Sequence, residues 1–341
     1  MNDLASPPVT DRAAERLAFA RTALGDAITL ERASEDASFR SYWRAGGGAR
    51  SAIVMDAPPA ETEKFDAWLD VNARLRAAGL HAPEVLAADR ARGLMLLEDL
   101  GTRTYLPELD DSTVDALYGD ALATLVTMQV RVDARGLPPY DEPRLMTELE
   151  LMPTWFLQKH LGIGIECDEW DVIEAAFRLL INSALMQPRA YLHRDYHSRN
   201  LMIVPENGPG IIDIQDALLG PLTYDLVSLL RDCYIVWDEV RVRTWAESHR
   251  IALREADLLD ERVDAALWQR WFDLMGLQRH IKVLGLFCRL WYRDGKRGYL
   301  NDLPRVWNYV RSVGQQHPEL ADFVALIERK ISDRDLTQAA P

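Results

Sequence analysis

The chain has 341 residues, 48% of them hydrophobic, and its 39 Lys plus Arg against 53 Asp plus Glu give a formal net charge of −14. That length carries a sizeable core and two lobes or domains, and the acidic balance argues against a nucleic-acid partner, whose phosphates demand a basic surface. Residues 1–10 lack a basic start followed by an apolar run, and no later run is apolar for a membrane span, so the expectation is a cytoplasmic protein with no membrane partner.

In chain order, apolar spacing over 11–24 predicts a helix. Strands are expected over 38–44 and 51–55, on either side of the turn Gly46-Gly47-Gly48. A helix over 61–78 would bury Phe65, Trp68, Leu69 and Leu75 on one face. Strands over 84–88 and 94–97, joined by a polar turn ending at Gly93, read as a hairpin. After Leu97-Glu98-Asp99-Leu100-Gly101 the chain becomes mostly helical, with 114–130, 168–187 and 267–293 the clearest stretches. Cys167, Cys233 and Cys288 are odd in number and lack paired metal spacing, which reads as buried thiols in a reducing compartment.

The chemistry concentrates in His193-Arg194-Asp195-Tyr196-His197-Ser198-Arg199-Asn200 and, downstream, Ile211-Ile212-Asp213-Ile214. Moving a phosphoryl group onto a hydroxyl needs a base for the proton and oxygen ligands for magnesium. Kinases use an Asp, an Asn five residues on, and a second Asp on a following strand. Asp195, Asn200 and Asp213 stand in that order and spacing. The apolar runs 200–204 and 210–214 flank the turn-forming Pro205-Glu206-Asn207-Gly208-Pro209, so a hairpin would bring Asn200 and Asp213 together. A helix over 223–235 follows, with Leu226, Leu229, Leu230 and Cys233 at helical spacing.

These residues resemble the aminoglycoside phosphotransferase and choline kinase family of small-molecule kinases. The resemblance implies an α+β, protein-kinase-like bilobal fold. A small β-rich N-lobe over 1–101 would bind nucleotide and end in a hinge; a larger helical C-lobe over 102–341 would hold the catalytic loop, metal site and sugar site. It also implies ATP and Mg2+ as cofactors, Asp195 as the base, Asn200 and Asp213 as metal ligands, and His197 as a residue steadying the transferring phosphate. Asp225, in Gly220-Pro-Leu-Thr-Tyr-Asp225, would brace the loop, and backbone groups around Glu98 and Leu100 would bind the adenine edge. Asp216 is equally readable as a further metal or substrate contact and as a plain turn carboxylate.

One position departs from the wider pattern. Where the third strand of such enzymes carries a phosphate-binding Lys, this chain has Met55; a thioether cannot neutralise phosphate, so another cation must contribute, and Arg40 and Arg44 are the candidates. The segments 38–42, 53–59, 96–101, 212–217 and 276–285 narrow the resemblance to the bacterial N-acetylmuramate/N-acetylglucosamine anomeric kinases, which share that Met. This subgroup implies phosphorylation of the anomeric hydroxyl of a small amino sugar, giving a 1-phosphate for cell-wall recycling, by a monomer needing no obligate protein partner. Arg279 and Lys282, on a basic face of the 267–293 helix apart from its apolar stripe, are candidates to hold the lactyl carboxylate of N-acetylmuramate. A kinase for another small alcohol or aminoglycoside and an inactive nucleotide-binding regulator stay open as alternatives.

Overall fold

The computed structural model describes residues 11–34, 40–48, 50–57, 62–206, 208–296 and 298–339. Its contacts divide the chain into two compact units, Met1–Asn72 with Ala82–Gly101 and Ala73–His81 with Thr102–Pro341.

In the first unit, helix α1 (Arg12–Leu24) starts at Asp11, whose carboxylate accepts from the Ala13 and Ala14 N–H groups, and stops at Gly25. Strands β1 (Thr29–Ser34), β2 (Ser41–Gly46), β3 (Ala52–Asp56), β4 (Val85–Asp89) and β5 (Leu94–Glu98) form an antiparallel sheet in the order β1-β2-β3-β5-β4. Helix α2 (Thr62–Ala77) lies between β3 and β4 in the chain. The edge strand β1 was not expected, because Thr29-Leu-Glu-Arg-Ala-Ser34 is mostly polar and shows no clear apolar alternation. The expected strand over 38–44 begins at Ser41; Ser38 and Phe39 lie outside the described residues.

Period-two alternation puts Ala52 and Val54 of β3 and Leu94 and Leu96 of β5 into one core with Phe19, Ala20, Ile28 and Ala45. Each large side chain buried there stabilises the unit by about 1.5–3 kcal/mol. Asp56 ties α1 to the sheet, with Arg12 Nη2 at 2.5 Å and Arg16 Nη1 at 2.7 Å from its two oxygens. Gly47 turns β2 toward β3 at φ +91, and a Cβ there would come 2.7 Å from the Ala27 carbonyl oxygen, so conformation and space both require glycine.

The second unit is mainly helical. It contains α3 (Val114–Arg131), α4 (Glu142–Leu149), a π-helical segment Met152–His160, α5 (Cys167–Leu185), α6 (Thr223–Leu230), α7 (Glu239–Glu255), α8 (Ala265–Tyr292), α9 (Leu303–Gly314) and α10 (Ala321–Ile331). Two small antiparallel pairs interrupt them: β6 (Arg189–Leu192) with β9 (Leu218–Pro221), and β7 (Leu201–Met202) with β8 (Gly210–Ile211). Cys233 and Cys288 are buried as expected, whereas Cys167 at the start of α5 is exposed. No helix among the described residues is long and apolar enough to cross a membrane.

Helix α8 is the axis of this unit, in contact with α4, α5, α6, α7, α9 and the Met152–His160 segment. Gly285 permits the last of these contacts, since a Cβ there would overlap the Leu151 carbonyl. With neighbours on every side, α8 has no basic solvent face over its middle turns: Arg279 is 4% and Lys282 8% exposed. The expected separation into an apolar stripe and a solvated basic face is therefore corrected. Helix α6 also ends earlier than expected, at Leu230. Arg231 leaves helical geometry with its fully buried guanidinium paired to Asp273 at 2.8 Å, and Asp232 turns toward the 193–200 loop.

Two buried histidines couple this packing to pH. His249 Nε2 lies 3.0 Å from Gln129 Oε1, and the same Gln129 donates its amide to Leu222 O at 2.7 Å, so the His249 Nε2–H must be the donor. His280 Nε2 lies 2.9 Å from the Arg231 carbonyl. Burial pushes both imidazoles down to about 3. Their folded pKa values lie below the unfolded value, so both stabilise fully above about pH 6.5 and lose that contribution as pH falls toward 3. Each should cost about 2 kcal/mol by pH 5. Between pH 7.5 and 5 the melting temperature of His249→Gln should therefore fall less than that of the parent; parallel curves for the two proteins would remove His249 from the effect.

Candidate active site

Strand β6 is buried and apolar from Ala190 to Leu192 and delivers the chain into the 193–200 loop. There Arg194 adopts φ +77, a left-handed conformation that costs a non-glycine residue roughly 1–2 kcal/mol. Asp225, on the first turn of α6 and fully buried, holds it in place: its carboxylate accepts the His193 N–H at 2.7 Å and the Arg194 N–H at 2.9 Å. The Arg194 guanidinium donates to Glu148. Burial pushes the Asp225 carboxyl up to about 7 although both N–H groups favour its charged form. Asp225→Ala would strand two buried donors, so it should destabilise the protein by about 2–5 kcal/mol, with Asp225→Asn milder because its amide oxygen still accepts. Denaturant titration checks this; an Ala variant as stable as the parent would deny Asp225 the bracing role.

A second carboxylate grips the other end of the loop. Asp232, 1% exposed, accepts from the Ser198 N–H at 3.0 Å and the Ser198 hydroxyl at 2.5 Å, and its other oxygen accepts from the Tyr234 N–H at 3.2 Å. Sequence reasoning missed Asp232, and no local signal marks it. Residues 103–106 lie alongside, with Ile203 N–H donating to Arg103 O, Tyr105 N–H to Leu201 O and Leu106 N–H to Ser198 O.

Held in this way, the expected residues converge. Asn200 Nδ2 donates to the Asp195 carbonyl at 3.0 Å and lies 3.5 Å from Asp213 Oδ2, while the Ile212 N–H donates to the Asn200 carbonyl. The strands of this hairpin are only two residues each, yet they make the expected juxtaposition. Asp213 takes φ +62, a conformation Asp tolerates better than most residues. Its Oδ1 accepts from Gln215 Nε2 at 2.7 Å, a contact that sequence reasoning did not assign. Because the Asn200 amide nitrogen is engaged with Asp195, its oxygen is the atom that could bind a metal. One amide and one carboxylate oxygen, completed by phosphate oxygens, is a hard donor set that suits Mg2+. Asp216 is exposed and lies 3.4 Å from Gln215 Nε2.

Burial alone would raise the Asp195 carboxyl, but the charges of Lys282, Arg194 and Arg279 outweigh it and hold the group below the usual carboxylate range. Asp195 is thus ionised and partly enclosed. His197 meets Tyr234 edge to face at 5.6 Å, and burial lowers its imidazole despite Asp232 and Asp195, so it is neutral at pH 7. The Lys282 ammonium sits 3.1 Å from Glu148 and 3.0 Å from the Tyr224 hydroxyl, a buried pairing. Glu148 also accepts from the Tyr140 hydroxyl, which receives Gln278 Nε2 at 3.0 Å.

In the first unit, Met55 is fully buried on β3, opposite Tyr42 and Met95. Arg44 is committed elsewhere than to phosphate: it grips Asp99 in a bidentate pair at 2.7 and 3.0 Å and donates to the Gly101 carbonyl at 2.8 Å. Arg40 precedes β2 and is partly buried. The Glu98 N–H donates to the Glu84 carbonyl and the Glu98 carboxylate accepts from the Glu84 N–H, so the Glu98 N–H belongs to the sheet rather than to a purine. Leu100 follows in a loop between Asp99 and Gly101 at φ +91.

A five-stranded antiparallel sheet in one unit and, in a helical unit, a loop joining one buried carboxylate to an Asn–Asp pair across a hairpin define the protein-kinase-like class of phosphotransferases. A family model described as the phosphotransferase enzyme family matches residues 29–259, and the chain belongs to that family. It is 43% identical over 301 residues to an N-acetylmuramate/N-acetylglucosamine kinase of Pseudomonas aeruginosa, covering 86% of each chain. It is 38% identical over 314 residues to a kinase of the same name from Neisseria meningitidis, covering 89% of this chain and 91% of the relative. Among solved structures, the choline kinase LicA from Streptococcus pneumoniae matches with a TM-score of 0.58 at 15% identity, over 86% of this chain and 97% of that one. The chain is accordingly a small-molecule phosphotransferase.

Proposed function

We propose that the chain transfers the terminal phosphoryl group of ATP to the anomeric hydroxyl of N-acetylmuramate and N-acetylglucosamine, and that the 1-phosphate serves cell-wall recycling in the cytoplasm. The observation that carries this reading is the convergence of an ionised Asp195 with Asn200 and Asp213; the names of the relatives supply the sugars. In this reading residues 1–101 serve the nucleotide, Leu100 its adenine edge and Arg40 its phosphates, residues 102–341 serve the sugar, and one chain suffices.

An Asp195 oxygen would accept the C1 hydroxyl proton as the sugar oxygen bonds to the terminal phosphorus and the bond from that phosphorus to the bridging oxygen of ADP breaks. An anomeric hydroxyl is more acidic than an ordinary sugar alcohol, so positioning outweighs basicity. The two anchors of the loop, Asp225 and Asp232, supply that positioning for Asp195. His197, being neutral, would donate a hydrogen bond to the phosphoryl group rather than a full charge. Magnesium bound by Asn200 and Asp213 would neutralise charge on the phosphates.

Phosphorus NMR of the product formed from N-acetylmuramate and ATP is the decisive experiment. A resonance coupled to the anomeric proton is expected. A phosphate on another carbon would overturn the anomeric assignment, and no turnover of any amino sugar, amino alcohol or aminoglycoside would favour the inactive-regulator alternative that Met55 invites.

A further inference from the structure

Three buried cations act on Asp195: Lys282, Arg194 and Arg279. Two of them share a carboxylate, since Arg194 and Lys282 both pair with Glu148. Arg279 is different. Its Nε donates to Ser228 Oγ at 2.6 Å and its Nη1 to Cys233 Sγ at 3.3 Å. Among the described residues, no carboxylate lies within ion-pair distance of it.

Neither of its partners is a counter-ion. The Ser228 hydroxyl spends its proton on the Tyr224 carbonyl at 3.1 Å, so toward Arg279 it offers only a lone pair. Burial pushes the Cys233 thiol up to about 11, so the sulfur is uncharged at neutral pH. The nearby Asp225 and Asp232 are occupied by N–H and O–H groups of the 193–200 loop. The carboxylates of Asp195 and Asp232 act on Arg279 only from a distance, and Glu148 is taken by Arg194 and Lys282, so none of them forms an ion pair with it. Those charges favour the buried guanidinium from a distance, and a carboxylate in direct contact would add an ion pair that the described residues do not make. The guanidinium is also fixed: two of its nitrogens are held by side chains on and just after α6, which leaves Nη2 with no protein acceptor among the described residues and its planar fork ready for a carboxylate.

We propose that Arg279 is a specificity-determining residue that binds a carboxylate borne by the sugar close to its reacting carbon, and so sets the preference for an acidic over a neutral amino sugar. The inference rests on the amino-sugar reading above. N-acetylmuramate carries such a carboxylate on its C3 ether, two ring bonds from C1, and N-acetylglucosamine carries none. Lys282, the other basic residue expected to read this group, has its charge taken by Glu148. The transferring phosphate is the competing anion, and it is common to both sugars, so parallel kinetics separate the two.

The experiment compares kcat/KM for N-acetylmuramate and N-acetylglucosamine in the parent, Arg279→Lys and Arg279→Gln proteins. In Arg279→Gln the ratio of the two should move roughly 10- to 100-fold toward N-acetylglucosamine, the range for a hydrogen bond to a charged group. Arg279→Lys should fall between that variant and the parent. An unchanged ratio, with both sugars losing equally, would overturn the proposal and assign Arg279 to the phosphate or to Asp195. Because a buried arginine can be needed for folding, the parent protein supplies an independent arm: the methyl ester of N-acetylmuramate should be used about 10- to 100-fold less well than the acid. Equal use of acid and ester would overturn the proposal regardless of how the variants fold. A parent protein that phosphorylates an alcohol other than these sugars would sink the amino-sugar reading itself, a result distinct from an unchanged ratio.

Discussion

Asp195→Asn should lower turnover by roughly 10²- to 10⁴-fold, about 3 to 5 kcal/mol of barrier, while nucleotide affinity stays close to that of the parent. The substitution keeps the shape of the side chain and the backbone carbonyl that receives Asn200, so the Asn200–Asp213 juxtaposition should survive. What disappears is the charge that Lys282, Arg194 and Arg279 hold in its ionised form. Stopped-time assays with either sugar, together with a nucleotide titration, separate the two effects. Near-normal turnover by a folded variant would remove Asp195 from the reaction, and a large loss of nucleotide affinity would show that it serves binding.

Asp213→Asn should cost more, at least about 10³-fold in turnover, because losing one of the two proposed metal ligands would remove several kcal/mol of charge stabilisation. Asn is preferable to Ala here. It tolerates φ +62 and can still accept the Gln215 amide, so neither backbone strain nor a stranded donor confuses the outcome. A readout independent of turnover is the rise in melting temperature when magnesium and ADP are added to the parent. That rise should vanish in Asp213→Asn, and a variant showing the same rise as the parent would exclude Asp213 as a magnesium ligand.

What could be read from the sequence tracks the distance along the chain over which each interaction closes. Asn200 and Asp213 are 13 residues apart across a turn, so spacing and turn chemistry were enough to bring them together, although the flanking strands proved much shorter than the apolar runs suggested. The contacts that hold the loop in place span far more chain: 34 residues from Ser198 to Asp232 and 46 from Arg194 to Glu148. No periodicity encodes such pairs, and Asp232 and Glu148 look like ordinary carboxylates until the helices assemble. The pairing of Arg44 with Asp99 was out of reach for the same reason, the two lying 55 residues apart. The basic residues of α8 show a different limit. Helical spacing correctly grouped Arg279 with Lys282, but a hydrophobic pattern presumes one face in water, and a helix surrounded by α4, α5, α6, α7 and α9 has none there.

Asp225 lies in the first turn of helix α6 and Asp232 stands two residues beyond its end, so a single short helix is the spacer between the two grips on the 193–200 loop. A spacer of this kind tolerates changes of side chain far better than changes of length. One residue inserted or deleted within Thr223–Leu230 would turn the far end by about 100° and shift it by about 1.5 Å, carrying Asp232 away from Ser198 while Asp225 stayed in place. Substitutions among the apolar residues of α6 should therefore be graded in effect, whereas insertions and deletions there should be all-or-none.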